Sequence, residues 1–124
     1  DKKLPNFYSL PSKDIIDSYL NADIFVCSSL IESFGIVVLE AMAAGLPIVA
    51  FDVLGVNELV KNKFNGKLVE ENDINKFADE IIVISNKKVI ERMSSNSRNL
   101  SQKYDWDNIA KKYYSLYLKI IKEK

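Results

Sequence analysis

Two short apolar runs, Asp23 to Cys27 and Ile48 to Phe51, flank a segment whose apolar centre is closed by a glycine at each end, and no other feature constrains the fold as much. The intervening stretch from Glu32 to Gly45 reads Glu-Ser-Phe-Gly-Ile-Val-Val-Leu-Glu-Ala-Met-Ala-Ala-Gly. Ser33 and Gly35 can supply a cap and a tight backbone turn. Ile36 to Met42 then run apolar except for Glu40, and Gly45 is where a helix of that length ends. The first apolar run does not alternate, as expected of a strand covered by helices on both faces. Strand, helix and strand at this spacing make a βαβ unit, with parallel strands and a crossover that is almost always right-handed.

The remainder extends this pattern. Leu4 to Tyr8 reads as a short strand closed by Ser9-Leu10-Pro11, after which Ser12 caps a helix over Lys13 to Leu20 with Ile15, Ile16, Tyr19 and Leu20 inward. Beyond Phe51, a loop through Gly55 leads to a short helix around Asn57 to Val60. Asn65-Gly66 is a turn signal, and Lys67 to Val69 is the last strand. Asp73 then caps a helix whose apolar stripe is Ile74, Phe77, Ala78, Ile81, Ile82 and Ile84. A more polar helix over Lys87 to Leu100 turns Val89, Ile90, Met93 and Leu100 inward. Asp105 or Asp107 starts the final helix, with Ile109, Tyr113, Leu116, Tyr117 and Ile120 on one face, Tyr113 and Tyr117 packed in the core, and lysines opposite. The expected fold class is therefore α/β: a parallel sheet of about four strands flanked by helices, in one domain over residues 1–124, with a helical tail over about 87–124.

With 124 residues, equal numbers of acidic and basic side chains and one cysteine, the chain is composed like one ordinary domain. Zero formal charge argues against nucleic acid as a partner. Cys27 has no partner for an internal disulfide, which fits a reducing, cytoplasmic setting, and no apolar run reaches membrane-spanning length. The absence of histidine excludes a His-based triad or a Cys-His pair built from this chain alone.

Chemistry concentrates at the start of the central helix. A helix N-terminus following the carboxyl end of a parallel strand presents unpaired N–H groups and partial positive charge, which suits phosphate. Gly35 lets the backbone approach a ligand closely. Glu40, one turn in, is suited to the paired hydroxyls of a ribose, and Glu32 to a sugar beyond the phosphates. On spacing alone the plainer reading stands beside this one: Glu40 as a surface residue, Glu32 as a solvated loop carboxylate, and the alanines as close-packing residues. Asp105-Trp106-Asp107 has the spacing of a metal motif, but a helix cap explains it.

The stretch from Ser28 to Ala50 resembles the signature of retaining glycosyltransferase family 4 enzymes of the GT-B fold, with Glu32 and Glu40 at that family's Glu, seven residues, Glu spacing. The likeness continues through Gly55-Val56-Asn57-Glu58-Leu59-Val60, where Asn57 stands at a usual proline, through Asn65 to Val69, and more loosely to Tyr104-Asp105-Trp106. The resemblance implies that the sheet is Rossmann-like, the later part of a donor-binding domain. It also implies that Glu32 lies at the reacting centre, and that Glu32, Ser33, Phe34 and Gly35 bind the donor sugar. By the same resemblance the amides of Ile36 and Val37 hold the diphosphate, Glu40 binds the ribose, and Ser9, Leu10 and Pro11 wall the nucleobase. The implied substrate is a nucleotide-diphospho-sugar, with no metal or other cofactor.

The same resemblance implies that the acceptor-binding domain, the first two donor-domain strands and the Arg and Lys that neutralise the diphosphate lie outside this chain. The fragment alone is then expected to be inactive. The full-length protein is placed in cell-surface polysaccharide or glycoconjugate synthesis, in the cytoplasm or peripherally at the membrane's inner face. A non-catalytic nucleotide-binding module and a GT-B-type nucleotide-sugar epimerase are the alternatives. The two-glutamate spacing favours the transferase over both.

Overall fold

The structure is a computed structural model, and it describes residues 13–123. The expected Leu4–Tyr8 strand and the Ser12 cap lie outside the described residues. Among those described, three strands form one parallel sheet in the order β1 (Phe25–Cys27), β2 (Ile48–Phe51), β3 (Gly66–Val69). β2 is central because its apolar residues allow burial on both faces, and all four are buried. It pairs with β1 from Phe25↔Ile48 to Cys27↔Ala50 and with β3 from Ile48↔Gly66 to Phe51↔Val69. At Gly66 any Cβ would run into the Ile48 carbonyl oxygen, so a glycine must open β3.

β1 departs from expectation. It is shorter than the apolar run, leaving Asp23 and Ile24 outside, and Val26 is 45% exposed. Phe25 and Cys27 pack with the core, whereas Val26 between them stands exposed.

The βαβ unit is completed by α2 (Ile36–Ala44), which follows β1 and buries Val38, Ala41 and Met42. Its start is a backbone device. Gly35 sits at φ 83°, and its carbonyl accepts from the amides of Val38 and Leu39 at 2.9 and 3.0 Å. Ser33, expected as the cap, makes no capping hydrogen bond, because the left-handed glycine has taken the N-cap position itself. The end matches the sequence reading: Gly45 at φ 88° donates to the Met42 carbonyl, and Leu46 donates to that of Ala41. That pairing satisfies the last carbonyls and turns the chain into β2.

Before β1, α1 (Lys13–Asn21) has Tyr19 as its one residue that is not exposed. After β2, α3 (Val56–Leu59) leads to a turn in which Lys63, not Asn65, takes positive φ. Asn65 is instead buried, its Oδ1 accepting from the Lys61 amide at 2.7 Å. α4 (Ile74–Ile84) is capped as expected, Asp73 Oδ1 accepting from the Lys76 amide at 2.9 Å. Its inward face differs from the expected stripe. Phe77, Glu80 and Ile84 are buried, whereas Ile74 and Ile82 are 73% and 71% exposed. Phe77 stacks on Phe51 at 4.6 Å, and Glu80 reaches Lys67 of β3 at 2.6 Å and Lys76 at 3.1 Å.

α5 (Lys87–Ser101) packs against α2 and buries Met93 and Ser97, the Ser97 hydroxyl donating to the Asn65 carbonyl at 3.4 Å. A 3-10 turn over Gln102–Tyr104 precedes α6 (Trp106–Lys122), where Asp105 caps by accepting from the Asp107 amide at 2.8 Å. No residue of α6 is buried. Tyr113 and Tyr117 are more than half exposed and stack on each other at 6.2 Å, so the expected core packing does not occur among the described residues. Nor is any described helix long and apolar enough to cross a membrane.

Candidate donor site at the start of α2

Two loops leave the carboxyl ends of β1 and β2 and meet. Gly55 makes the meeting possible: its φ is 88°, and a Cβ there would lie 2.7 Å from the Glu32 carbonyl oxygen and 2.9 Å from Ser33 backbone atoms. Only a residue without a side chain lets the Glu32 loop settle against the β2 loop. The Glu32 loop and the first turn of α2 line a cleft of about 200 Å³, formed by Glu32, Ser33, Phe34, Gly35, Ile36 and Val37. These are the six residues expected to hold sugar and diphosphate. The amides of Ile36 and Val37 have no acceptor among the described residues, because the first turn of a helix leaves its N–H groups unpaired. They add to the positive end of the α2 dipole.

Glu40 lies elsewhere. With Phe34, Ile36, Leu39 and Ala43 it lines a second, mostly apolar cleft of about 630 Å³, closed on the far side by Tyr104, Trp106 and Ile109. Phe34 meets Tyr104 edge-on at 5.8 Å, and Phe34 and Ile36 border both clefts. The two glutamates therefore line different clefts. The larger cleft is the roomier, but the smaller one carries the free amides and so has the chemistry for an anion.

One partner escaped sequence reasoning. Tyr19 donates its hydroxyl proton to Glu40 Oε2 at 3.1 Å. Burial, then the hydrogen bond and charge of Glu40, push the phenol up to about 12. Helical spacing marked Tyr19 as inward-facing, but nothing in the sequence said which side chain it would meet. Ser9, Leu10 and Pro11, expected at the nucleobase, lie outside the described residues. Among nearby carboxylates, Asp52 accepts from Asn57 Nδ2 at 3.0 Å, Glu58 is exposed, and Asp105 is occupied as a cap. Among the described residues no group of three or more His, Cys, Asp or Glu could hold a metal ion.

Residues 6–100 match the family described as Glycosyl transferases group 1. This chain belongs to the group 1 glycosyl transferases. A relative from Escherichia coli, UDP-Gal:alpha-D-GlcNAc-diphosphoundecaprenol alpha-1,3-galactosyltransferase, is 41% identical over 86 residues, covering 69% of this chain and 22% of its own length. Among solved structures, sucrose-phosphate synthase from Thermosynechococcus elongatus superposes with a TM-score of 0.78 at 31% identity, covering 86% of this chain and 27% of that one. The C-terminal domain of a group 1 family glycosyl transferase from Francisella tularensis gives a TM-score of 0.71 at 31% identity, covering 80% of this chain and 52% of that one. These neighbours are GT-B glycosyltransferase domains, and the parallel sheet flanked by helices is the fold they share with this group 1 chain. The chain spans between 22% and 30% of the length of the curated relatives it matches.

Proposed function

We propose that this group 1 chain is the donor-binding part of a retaining glycosyltransferase that uses a nucleoside-diphospho-sugar to build a cell-surface polysaccharide or glycoconjugate. The observation that carries the reading is the cleft at the start of α2, where Glu32 stands beside the unpaired amides of Ile36 and Val37. As the bond between the anomeric carbon and the diphosphate oxygen lengthens, negative charge grows on the leaving group. Fixed N–H dipoles meet that charge without reorganising. Glu32 stabilises or positions the oxocarbenium-like sugar, the backbone of Ser33, Phe34 and Gly35 holds its hydroxyls, and Glu40 accepts from the ribose. No metal or cofactor is assigned a step.

The acceptor site and the cationic half of the phosphate site are assigned to parts of a full-length protein outside this sequence, a reading supported by the small share of each relative that the chain spans. The Escherichia coli relative is named for a diphosphoundecaprenol acceptor. A lipid-linked acceptor of that kind would draw the full-length protein to the inner face of the membrane.

Titrating the full-length protein with UDP-, GDP- and ADP-sugars tests the reading, followed by proton NMR of the first anomer formed. One nucleotide class should bind, the product should keep the donor's anomeric configuration, and Glu32→Ala should lower kcat by about a hundredfold or more. Binding of none of the three, or an inverted product, would sink the proposal.

A further inference from the structure

We infer that Tyr19 is the positioning residue for Glu40, its hydroxyl fixing one carboxylate oxygen so that the other is presented to the paired hydroxyls of the donor's ribose. The inference rests on the donor-site reading above. It starts from how Tyr19 is held. Every other residue of α1 is exposed, whereas the Tyr19 ring packs against Phe25 of β1 at 5.9 Å between centroids. The sheet, through β1, thus sets where the phenol stands. From there the hydroxyl reaches across to α2 and donates to Glu40 Oε2 at 3.1 Å.

A phenol has a single proton to donate, so it can fix only one of the two carboxylate oxygens. Oε1 has no partner among the described residues, and Glu40 lines the larger cleft. An unrestrained glutamate on a helix surface samples several rotamers, and gripping a vicinal diol would freeze it. A tyrosine that has already fixed the side chain removes part of that ordering cost from ligand binding. Burial and the neighbouring carboxylate push the phenol up to about 12, so it remains a donor throughout the neutral range.

The test compares Tyr19→Phe, Glu40→Gln and the double variant in the full-length protein. It uses calorimetric titration with whichever of UDP, GDP and ADP binds, and with its 2′-deoxy counterpart. Tyr19→Phe keeps the ring and its packing on Phe25, so its melting temperature should stay within a few degrees of the parent's. Its affinity for the ribonucleotide should fall about tenfold, the scale of one charge-assisted hydrogen bond. Affinity for the deoxynucleotide should change by no more than about twofold, and the double variant should bind no more weakly than Glu40→Gln alone. In turnover the loss should appear in the donor KM, with kcat little changed.

Two results overturn the inference while sparing the donor site: Tyr19→Phe discriminating ribose from deoxyribose as the parent does while Glu40→Gln loses that discrimination, or Tyr19→Phe weakening both nucleotides equally. If the parent does not discriminate and Glu40→Gln changes nothing, the assignment of Glu40 to the ribose falls and the inference with it.

Discussion

Gly55 shows how much a single position can hold. Its φ of 88° disfavours any L side chain, and the space a Cβ would need is filled by the backbone of Glu32 and Ser33. Gly55→Ala should cost about 1–3 kcal/mol in urea unfolding and lower kcat/KM of the full-length protein at least tenfold, because the loop that must give way carries Glu32. Gly35→Ala makes the instructive contrast. The nearest atoms to its Cβ would be 3.5 Å away, so only the φ of 83° opposes it, and about 1–2 kcal/mol is expected. Glu80 answers to pH instead. Its hydrogen bond to Lys67 above all, opposed by burial and aided by Lys76, holds the carboxyl below its ordinary value. A carboxyl lowered in the folded state adds stability that is complete above the unfolded value of about 4.5 and is lost as pH falls through the folded value. Glu80→Gln should therefore cost about 1–2 kcal/mol at neutral pH, less than a deeply buried pair because solvent still reaches the lysines. It should also flatten the acid limb of a stability–pH curve below about pH 4.5, and an unchanged limb would assign acid sensitivity to other carboxylates.

At the scale of elements, the helices differ in what they lean on. α5 buries Met93 and Ser97 and packs on α2, whereas α6 buries nothing and touches mainly the turn before it. Hydrogen exchange on the 124-residue chain should show slow amides in β2 and α5 and fast ones through α6. Equal protection in both helices would mean that α6 has found a surface to cover it. The contrast explains what was legible in the sequence. Positions set by local chemistry read correctly: the glycine at the end of α2, the Asp73 cap and the parallel pairing of Ile48–Phe51. Positions set by distant neighbours did not. Periodicity marks an apolar face without saying what covers it, so Ile74, Ile82, Val26 and Tyr113 were all expected inside and stand outside. The reverse also happened, since Glu80 turns inward because Lys67 on β3 is there to meet it. Ser33 lost the cap to Gly35 because a left-handed glycine leaves no place for a side-chain oxygen at that turn.

For the whole molecule, the two clefts meet along Phe34 and Ile36, so the spaces proposed for sugar, diphosphate and nucleoside are contiguous. Among the described residues, neither cleft is lined by a lysine or an arginine. The 124-residue chain alone should accordingly give no transfer product from a radiolabelled nucleotide sugar under conditions where the full-length protein does, and turnover by the chain alone would show that the site needs nothing more. The walls of the larger cleft also differ in reach along the chain. The Tyr19–Glu40 hydrogen bond closes a loop of 21 residues, whereas the Phe34–Tyr104 edge contact closes one several times longer, at an extra entropic cost of about 1 kcal/mol. During synthesis the carboxylate and its tyrosine can thus meet while the C-terminal helices are still being made, and the aromatic wall closes last.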